Sequence, residues 1–429
     1  MALYRVIGIF LNTLSLSDNQ SAKALLYTRN LFLILILLAT LPGIAQKITI
    51  SGKAIDKETK EALIFATVSI KGKPIGTITN LQGEFDFHIP REFQNDLLII
   101  NMLGYKTFEA PVWTLLEINP LIIEVEKSTF FLDEVLISDS LSGGEILQIA
   151  LSRIEQNYPM TPYLLDGFYR DIKKVGGTYI SLLEAAVKIY DEGYREPRNK
   201  FKLHERVALL EVRRSMGYSS KFTTYFDQDN LLEDLLLHNS IKYRHFPSEQ
   251  IFFNSLKRER DSYYNGHEVF VVSLRGEYSL TTFVEKGTYA IIHTEYESNQ
   301  EEVLTKKRGL ESKFVSLKRV IDFKPFEGKY YLNYIAVDSK VNWYDIKTKE
   351  LKFETELSQS LLINEITPNS TERVTTTEKM KNYGLQYQDL PYNKEFWDNY
   401  NVIKESPLDR KVIDDLEKRG ALDKQFKGY

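Results

Sequence analysis

The stretch ISGKAIDKETKEALIFATVSIKGKPIGTITNLQGEFDFHIP, Ile50 to Pro90, decides how this chain begins to fold. Its last part, Glu84-Phe85-Asp86-Phe87-His88-Ile89, alternates without a break. Phe85, Phe87 and Ile89 fall on one side, and Glu84, Asp86 and His88 on the other. Successive side chains of a strand point to opposite faces, so this pattern predicts a strand with one buried face. Ala66-Thr67-Val68-Ser69-Ile70 alternates in the same way, Ile48 and Ile50 alternate before Gly52, and Leu97 to Ile100 is a short apolar run. Turn residues separate the pieces: Lys73-Pro74, Asn80-Leu81-Gln82-Gly83 and Leu103-Gly104. Short, closely spaced strands of this kind predict a small β-sandwich over residues 46–126.

With LLIINMLGYKTFE (Leu97 to Glu109), the stretch resembles the carboxypeptidase regulatory-like domain. The matching positions are Gly52, Asp56, Ala66, Val68, Gly76, Thr77, Thr79, Asn80, Gly83, Phe85, Gly104 and Tyr105. The resemblance implies a prealbumin-like sandwich that carries no catalysis. Such modules stand at the N-termini of many secreted envelope proteins, TonB-dependent outer-membrane receptors among them. Leu132 to Ile137, inside a linker at 127–142, resembles the strand that commonly follows the module. A zinc carboxypeptidase needs His-x-x-Glu and a later His. None of the six histidines (His88, His204, His238, His245, His267, His293) has Glu three residues on, and His-Glu-x-x-His is absent. No peptidase activity, no bound zinc and no cofactor are expected.

Upstream, Leu31 to Leu41 reads LFLILILLATL, preceded by Arg29 and followed by Pro42-Gly43-Ile44-Ala45. A positive residue, a short apolar core and small residues before a cut are the layout of a secretory signal, assigned to residues 1–45. A membrane anchor is the alternative, but the run falls short of the roughly 20 apolar residues a span needs. No transmembrane span is expected in the mature chain, and the location expected is the periplasm or the outer membrane. Cysteine is absent from all 429 residues, so disulfides and thiolate metal sites are excluded. The formal net charge is −4, and Arg5, Lys23 and Arg29 outnumber Asp18 in the segment to be removed. An acidic mature chain argues against nucleic acid as a partner.

The remainder is strand-rich, with 26 Tyr and 24 Phe along the chain. The fold class expected is mainly β: the sandwich, then a larger antiparallel β-rich domain with a few helices at 143–387, then a polar helical tail at 388–429. Residues 143–157 read as a helix after Gly143-Gly144. Phe168–Ile172, Gly176-Gly177 and Tyr179–Tyr190 read as a hairpin, although the last segment also fits helical spacing. Asp229–Asn239 reads as a helix, and Val269–Leu274, Thr288–Tyr296, Lys313–Phe323, Lys329–Asp338 and Leu351–Glu356 read as strands. Glu285-Lys286-Gly287-Thr288-Tyr289 and Phe326-Glu327-Gly328-Lys329-Tyr330 look like echoes, each with Gly just before a Tyr-led strand. This meander resembles in pattern the half-barrel of the periplasmic lipoprotein-carrier family, which wraps an apolar cavity. The tail, with its helical spacing at Val412 and Leu416, is read as packing on its parent domain, with partner binding as the alternative.

Chemistry is harder to find. Lys257-Arg258-Glu259-Arg260-Asp261 reads as a solvated loop, Glu184, in an apolar stretch, as either buried or an edge-strand acid, and His267, after Asn265-Gly266, as exposed. Asp227, Asp229, Glu233 and Asp234 lack the spacing of a calcium loop. No phosphate-binding loop or Gly-x-Ser-x-Gly elbow occurs, and no catalytic, metal or cofactor residue is assigned. The function expected is a non-enzymatic secreted envelope protein, binding an apolar ligand such as a lipid, a glycan or an outer-membrane protein. A hydrolase with an unmarked site is the alternative. For binding, the expected place is the concave face of the second sheet, with Tyr289, Ile291, Tyr331, Asn333 and Ile335 on it and helix Asp229–Asn239 above; the alternative is that this helix merely closes an ordinary core. Oligomeric state and ligand identity are not legible. The signal reading makes Gln46 the mature N-terminus; intact-mass analysis of envelope-fraction protein checks it, and uncleaved chain in the cytoplasm contradicts it.

Overall fold

The alternation at Glu84–Ile89 forms a strand in the computed structural model, which describes residues 47–128, 141–215, 221–226, 231–300, 302–380, 384–385, 388, 390–404, 407–418 and 420–426. The signal segment, Leu132–Ile137, Asp227 and Asp229 lie outside these residues. Seven strands build the sandwich: β1 (Lys47–Asp56), β2 (Thr67–Ile70), β3 (Gly76–Ile78), β4 (Glu84–Pro90), β5 (Leu97–Asn101), β6 (Phe108–Pro111) and β7 (Ile122–Val125), with a one-turn helix α1 (Val112–Leu116) before β7. One sheet runs β4-β1-β7 and the other β3-β2-β5-β6. Phe85, Phe87 and Ile89 are fully buried between them with Ala66, Val68 and Ile100.

The positions that carried the resemblance have local physical jobs. Asp56 accepts from Thr59 N (2.9 Å), Glu58 N (2.8 Å) and the Tyr105 hydroxyl (2.8 Å), and pairs with Lys127 at 3.0 Å. The backbone bond from Thr59, followed by Lys127 and Tyr105, outweighs desolvation and holds its pKa well below the usual carboxylate range. Asn80 accepts from Gln82 N and Glu84 N, closing the turn into β4. Gly83 completes that turn at φ +75°, and a Cβ there would stand 2.3 Å from the Ala54 carbonyl oxygen. The turn therefore admits no side chain at this position.

Twelve antiparallel strands make the second sheet: β8 (Tyr163–Val175), β9 (Thr178–Asp191), β10 (Arg206–Arg214), β11 (Lys257–Arg258), β12 (Ser262–Tyr264), β13 (His267–Arg275), β14 (Tyr278–Glu285), β15 (Ile291–Ser298), β16 (Val303–Lys307), β17 (Leu310–Phe326), β18 (Lys329–Asp345) and β19 (Leu351–Thr367). The order is β10-β9-β8-β19-β18-β17-β15-β14-β13-β11, with β12 beside β13 and β16 beside β17. The strand reading of Tyr179–Tyr190 holds, with Gly176-Gly177 turning the chain at positive φ. Three central strands run seventeen residues each, well past the segments expected. Their extensions alternate only weakly in polarity because much of their surface is half-exposed. The two echoes differ: Glu327-Gly328 is a tight turn with both residues at positive φ, whereas in the first it is Tyr289 that takes positive φ and the strand starts only at Ile291.

Helices close the first face of this sheet. The helix α2 (Gly143–Ser152) starts on a capping box between Ser142 and Glu145, and α3 (Ile154–Asn157) follows directly. Gly143 and Gly144 lie inside the first turn of α2. A Cβ on Gly144 would meet the Phe253 carbonyl oxygen at 2.3 Å, so the glycine allows close approach of a helix further along the chain. Before that comes α4 (Leu231–Leu237), and then the helix holding Phe253, α5 (Gln250–Ser255). Lys257–Asp261 is a correction to the solvated-loop reading. Its first two residues pair with β13, Arg258 lies over the Phe270 ring at 4.8 Å, and Glu259 accepts from Ser273.

The opposite face is covered by the tail, α6 (Lys394–Asp398), α7 (Pro407–Glu417) and α8 (Leu422–Phe426). Trp397 and Ile403 pack on Phe168, Ala186, Tyr334 and Leu362, and Val412 and Leu416 pack on Leu182. Glu184 is not an edge acid: β9 lies between β8 and β10, and the residue is 2% exposed. It meets Arg170 at 2.6 Å and Arg213 at 2.5 Å. Arg213 in turn stacks on Trp397 at 4.4 Å, and Arg170 donates to the Ile403 carbonyl. Burial opposes the charge of Glu184, but the two guanidinium groups overcome it and lower the pKa. Removing one member of a buried ionic group strands the others. Glu184→Ala is expected to destabilise the protein by about 3–5 kcal/mol in chemical denaturation.

Candidate functional site

The site follows from register. Along β18, Ile335, Val337, Ser339, Val341 and Trp343 share one face. At the core end, Ile335 is paired with Leu361 on one side and Ile321 on the other, and α4 covers this part with Leu232, Leu235 and Leu236. Gln359 fixes the helix by donating to the Leu231 carbonyl at 2.7 Å. Here side chains fill the concave face. Ile291, Tyr331 and Ile335 are core residues, Tyr289 packs beside Phe270, and Asn333 donates to Asp322 and to Thr67 of the sandwich. The expected binding surface over these residues is therefore corrected: it is an ordinary core closed by α4.

Further along the same face, past the end of that core, a cleft of about 480 Å³ opens. Its floor is Ser339, Val341 and Trp343 of β18 with Leu357 and Thr355 of β19, which pair directly with Ser339 and Val341. Ser312 of β17 and Leu304 and Thr305 of β16 form one wall. A 3₁₀ turn, Lys221–Tyr225, and Phe226 after it form the lid, contributing Thr224, Tyr225 and Phe226. Lys307 donates to the Thr224 carbonyl at 2.6 Å and so ties the wall to the lid. Tyr225 stands edge-on to Trp343 and Phe353, with ring centroids 4.9 and 5.0 Å apart. The Trp343 indole N–H is already used by Thr355 at 3.1 Å, so its ring offers apolar area. Leu304 is 53% exposed, and so in part are Leu351 at the start of β19 and Phe222 in the 3₁₀ turn, whose ring meets Phe353.

Among the described residues lining this cleft there is no carboxylate and no imidazole. No group of three His, Cys, Asp or Glu side chains among the described residues is placed to hold a metal ion. Titratable groups do meet elsewhere. His267 is exposed and lies 3.5 Å from Glu285, but the hollow beside them is about 10 Å³, room for about one water. His293 lies 3.2 Å from Asp322 and 3.3 Å from Glu295 at the seat of the sandwich. Burial works against the charged ring there, yet the hydrogen bonds to the two carboxylates raise its pKa to about 9. Asn333 links Asp322 to Thr67, so the cluster joins the sheet to the sandwich. Beside it Lys324, pushed down to about 8 by burial, donates to the Ile363 carbonyl. Backbone bonds complete the seat: Ile366 N to Pro74 O at 3.1 Å and Gly104 N to Tyr263 O at 2.7 Å.

Comparison with known proteins bears on the sandwich. Residues 50–137 match the model of the CarboxypepD_reg-like domain family, so the N-terminal module is of that non-catalytic kind. A stretch of 107 residues is 33% identical to the TonB-dependent receptor SusC of Bacteroides thetaiotaomicron, covering 25% of this chain and 10% of the receptor. The chain thus spans about a tenth of the length of that curated relative. Among solved structures, a putative outer membrane lipoprotein-sorting protein domain from Vibrio parahaemolyticus aligns with 53% of this chain and 93% of its own at 12% identity, TM-score 0.21. A lipovitellin structure aligns with 54% of this chain and 28% of its own at 11% identity, TM-score 0.23. At such TM-scores neither carries an argument about the second sheet. Among the described residues no helix is long and apolar enough to cross a membrane.

The His293 cluster generates a pH prediction. A ring whose pKa is raised from about 6.5 unfolded to about 9 folded contributes stability that is complete below pH 6.5 and is lost as pH rises through 9. Lys324 acts in the opposite sense, but only above about pH 8. Between pH 6.5 and 8 the unfolding free energy of the wild type should fall, and His293→Asn should remove that slope. Denaturant titrations of both proteins across this window check it.

Proposed function

We propose that this is a non-enzymatic protein of the bacterial envelope that binds a small apolar ligand in the cleft on β18 and β19, with the sandwich as its interaction module. The observation that carries the reading is the lining: aromatic and aliphatic groups with hydroxyls between them, one amine, Lys307, which is engaged by the Thr224 carbonyl, and no acid–base pair, on a cleft within the roughly 300–1,000 Å³ of small-molecule sites. A hydrolase would need a carboxylate or imidazole at the ligand. The regulatory-like domain and its likeness to part of a TonB-dependent receptor support an envelope location and an outer-membrane partner for the sandwich. The signal read at residues 1–45 supports export. A lipid fits the lining better than a glycan, because the Trp343 and Tyr225 rings pack on each other instead of presenting an open stacking platform.

The neutral fluorophore N-phenyl-1-naphthylamine tests the cleft. It should bind saturably at one site per chain, and Ser339→Phe should abolish binding while leaving thermal unfolding unchanged. Binding untouched by Ser339→Phe, or no binding to the wild type, contradicts the reading.

A further inference from the structure

Most buried cations of this fold are matched. Arg170 and Arg213 meet Glu184, Lys173 meets Asp171, and Lys242 meets Asp191 and Glu205. Lys324 and Arg244 end on backbone carbonyl oxygens. Arg319 of β17 differs. It is half-buried, its guanidinium lies over the Tyr296 ring at 4.9 Å, and its Nε is buried without a hydrogen-bond partner. Among the described residues no carboxylate pairs with it. His238, which feels the charge of Arg319, supplies no compensation: burial, and then that charge, hold its pKa down to about 4 and leave it neutral. A guanidinium has five N–H donors in a planar fork suited to carboxylate and phosphate, and leaving even the one on Nε desolvated and unpaired is costly.

Its place on the sheet gives the charge a use. Arg319 pairs with Val337, and Leu317, two residues along the same face, pairs with Ser339 of the cleft floor. Diagonal neighbours across a strand pair lie roughly 7–8 Å apart, within the reach of long side chains. Arg319 does not line the cleft; it stands one cross-strand row from Ser339, the lining residue at the core end, so that its long side chain is within reach of that end. The Tyr296 ring against the guanidinium restrains it, which limits the rotamer freedom lost when it binds an anion.

The geometry points to an anionic amphiphile as the ligand: an apolar chain lying beside Trp343, Val341 and Leu357, and a carboxylate or phosphate head on Arg319. This deepens the cleft reading and rests on it. No step of chemistry is involved, and the head group gains a charge-assisted, bidentate contact that a neutral head cannot make.

The test displaces N-phenyl-1-naphthylamine from the full chain with dodecanoate, dodecyl phosphate and dodecan-1-ol. At least one acid should bind about 10–100-fold tighter than the alcohol, the range that a charge-assisted hydrogen bond supplies. Arg319→Gln should remove that advantage while the alcohol binds as before, which a merely structural role for Arg319 would not produce. The preferred acid tells carboxylate from phosphate. Equal binding of all three by the wild type, or an acid preference that survives Arg319→Gln, overturns the inference. If the fluorophore binds and Ser339→Phe blocks it but no acid preference appears, only the head-group inference fails. If the fluorophore does not bind, the cleft reading fails with it.

Discussion

Pairing of β17, β18 and β19 over seventeen residues each is the constraint on which the rest of the molecule depends. Strands of this length have two faces and more length than one core can cover. On one face the middle of the ladder, at Ile335, Leu361 and Ile321, is buried under α4. The same face continues beyond the helix as the cleft. On the other face Tyr334 and Leu362 receive Phe168, Trp397 and Ile403, while Asp322 and Asn333 receive the sandwich. Core, seat and cleft are therefore consequences of one register.

The sandwich is held to this ladder by apolar packing of Ile78 and Phe65 against Tyr334 and by a set of polar contacts. Asn401 brackets the backbone of His88, accepting from its N–H at 2.8 Å and donating to its carbonyl at 3.0 Å, and its own carbonyl accepts from Asn364 of β19. Lys404 reaches Asp86, and Lys47 reaches the Asn399 carbonyl. The tail thus works as a strap between β4 and the large sheet, and the Arg170–Glu184–Arg213 group anchors it. Partly exposed ion pairs of the Lys404 type contribute little each. The fixed geometry comes from the buried amide contacts of Asn401 and Asn364, which have no water to replace their partners.

Within one face of one sheet, then, the chain places two environments in series. At α4 the side chains of Leu232, Leu235 and Leu236 are buried together with Ile321, Ile335 and Leu361. Past Val337 the cover thins to a single 3₁₀ turn, and hydroxyls of Ser339, Thr355 and Ser312 appear among the rings. Arg319 and the Asp171–Lys173 pair lie near this boundary, on β17 and β8. Polar groups at such a boundary allow the apolar core to stop without exposing its edge, and they give an incoming ligand a direction.

Much of the sandwich was legible because its signals are local. The period-two run at Glu84–Ile89, the Asn80–Gly83 turn and the Gly104-Tyr105 pair each report backbone conformation within a few residues, and conformation at that range is set by sterics and hydrogen bonding near in sequence. The hairpin at Gly176-Gly177 was legible for the same reason. The cleft was not. Leu304, Ser312, Ser339, Val341, Trp343, Thr355 and Leu357 belong to four strands, and each looks in sequence like any strand residue. Glu184 read equally as buried or as an edge acid because nothing local marks β10 as its neighbour, and Arg319 read as nothing at all. By itself the sequence determined which segments extend and where they turn. Only the tertiary register decided which faces meet, because cross-strand pairing joins residues far apart in the chain and a shift of one residue would have turned every one of these side chains to the opposite face.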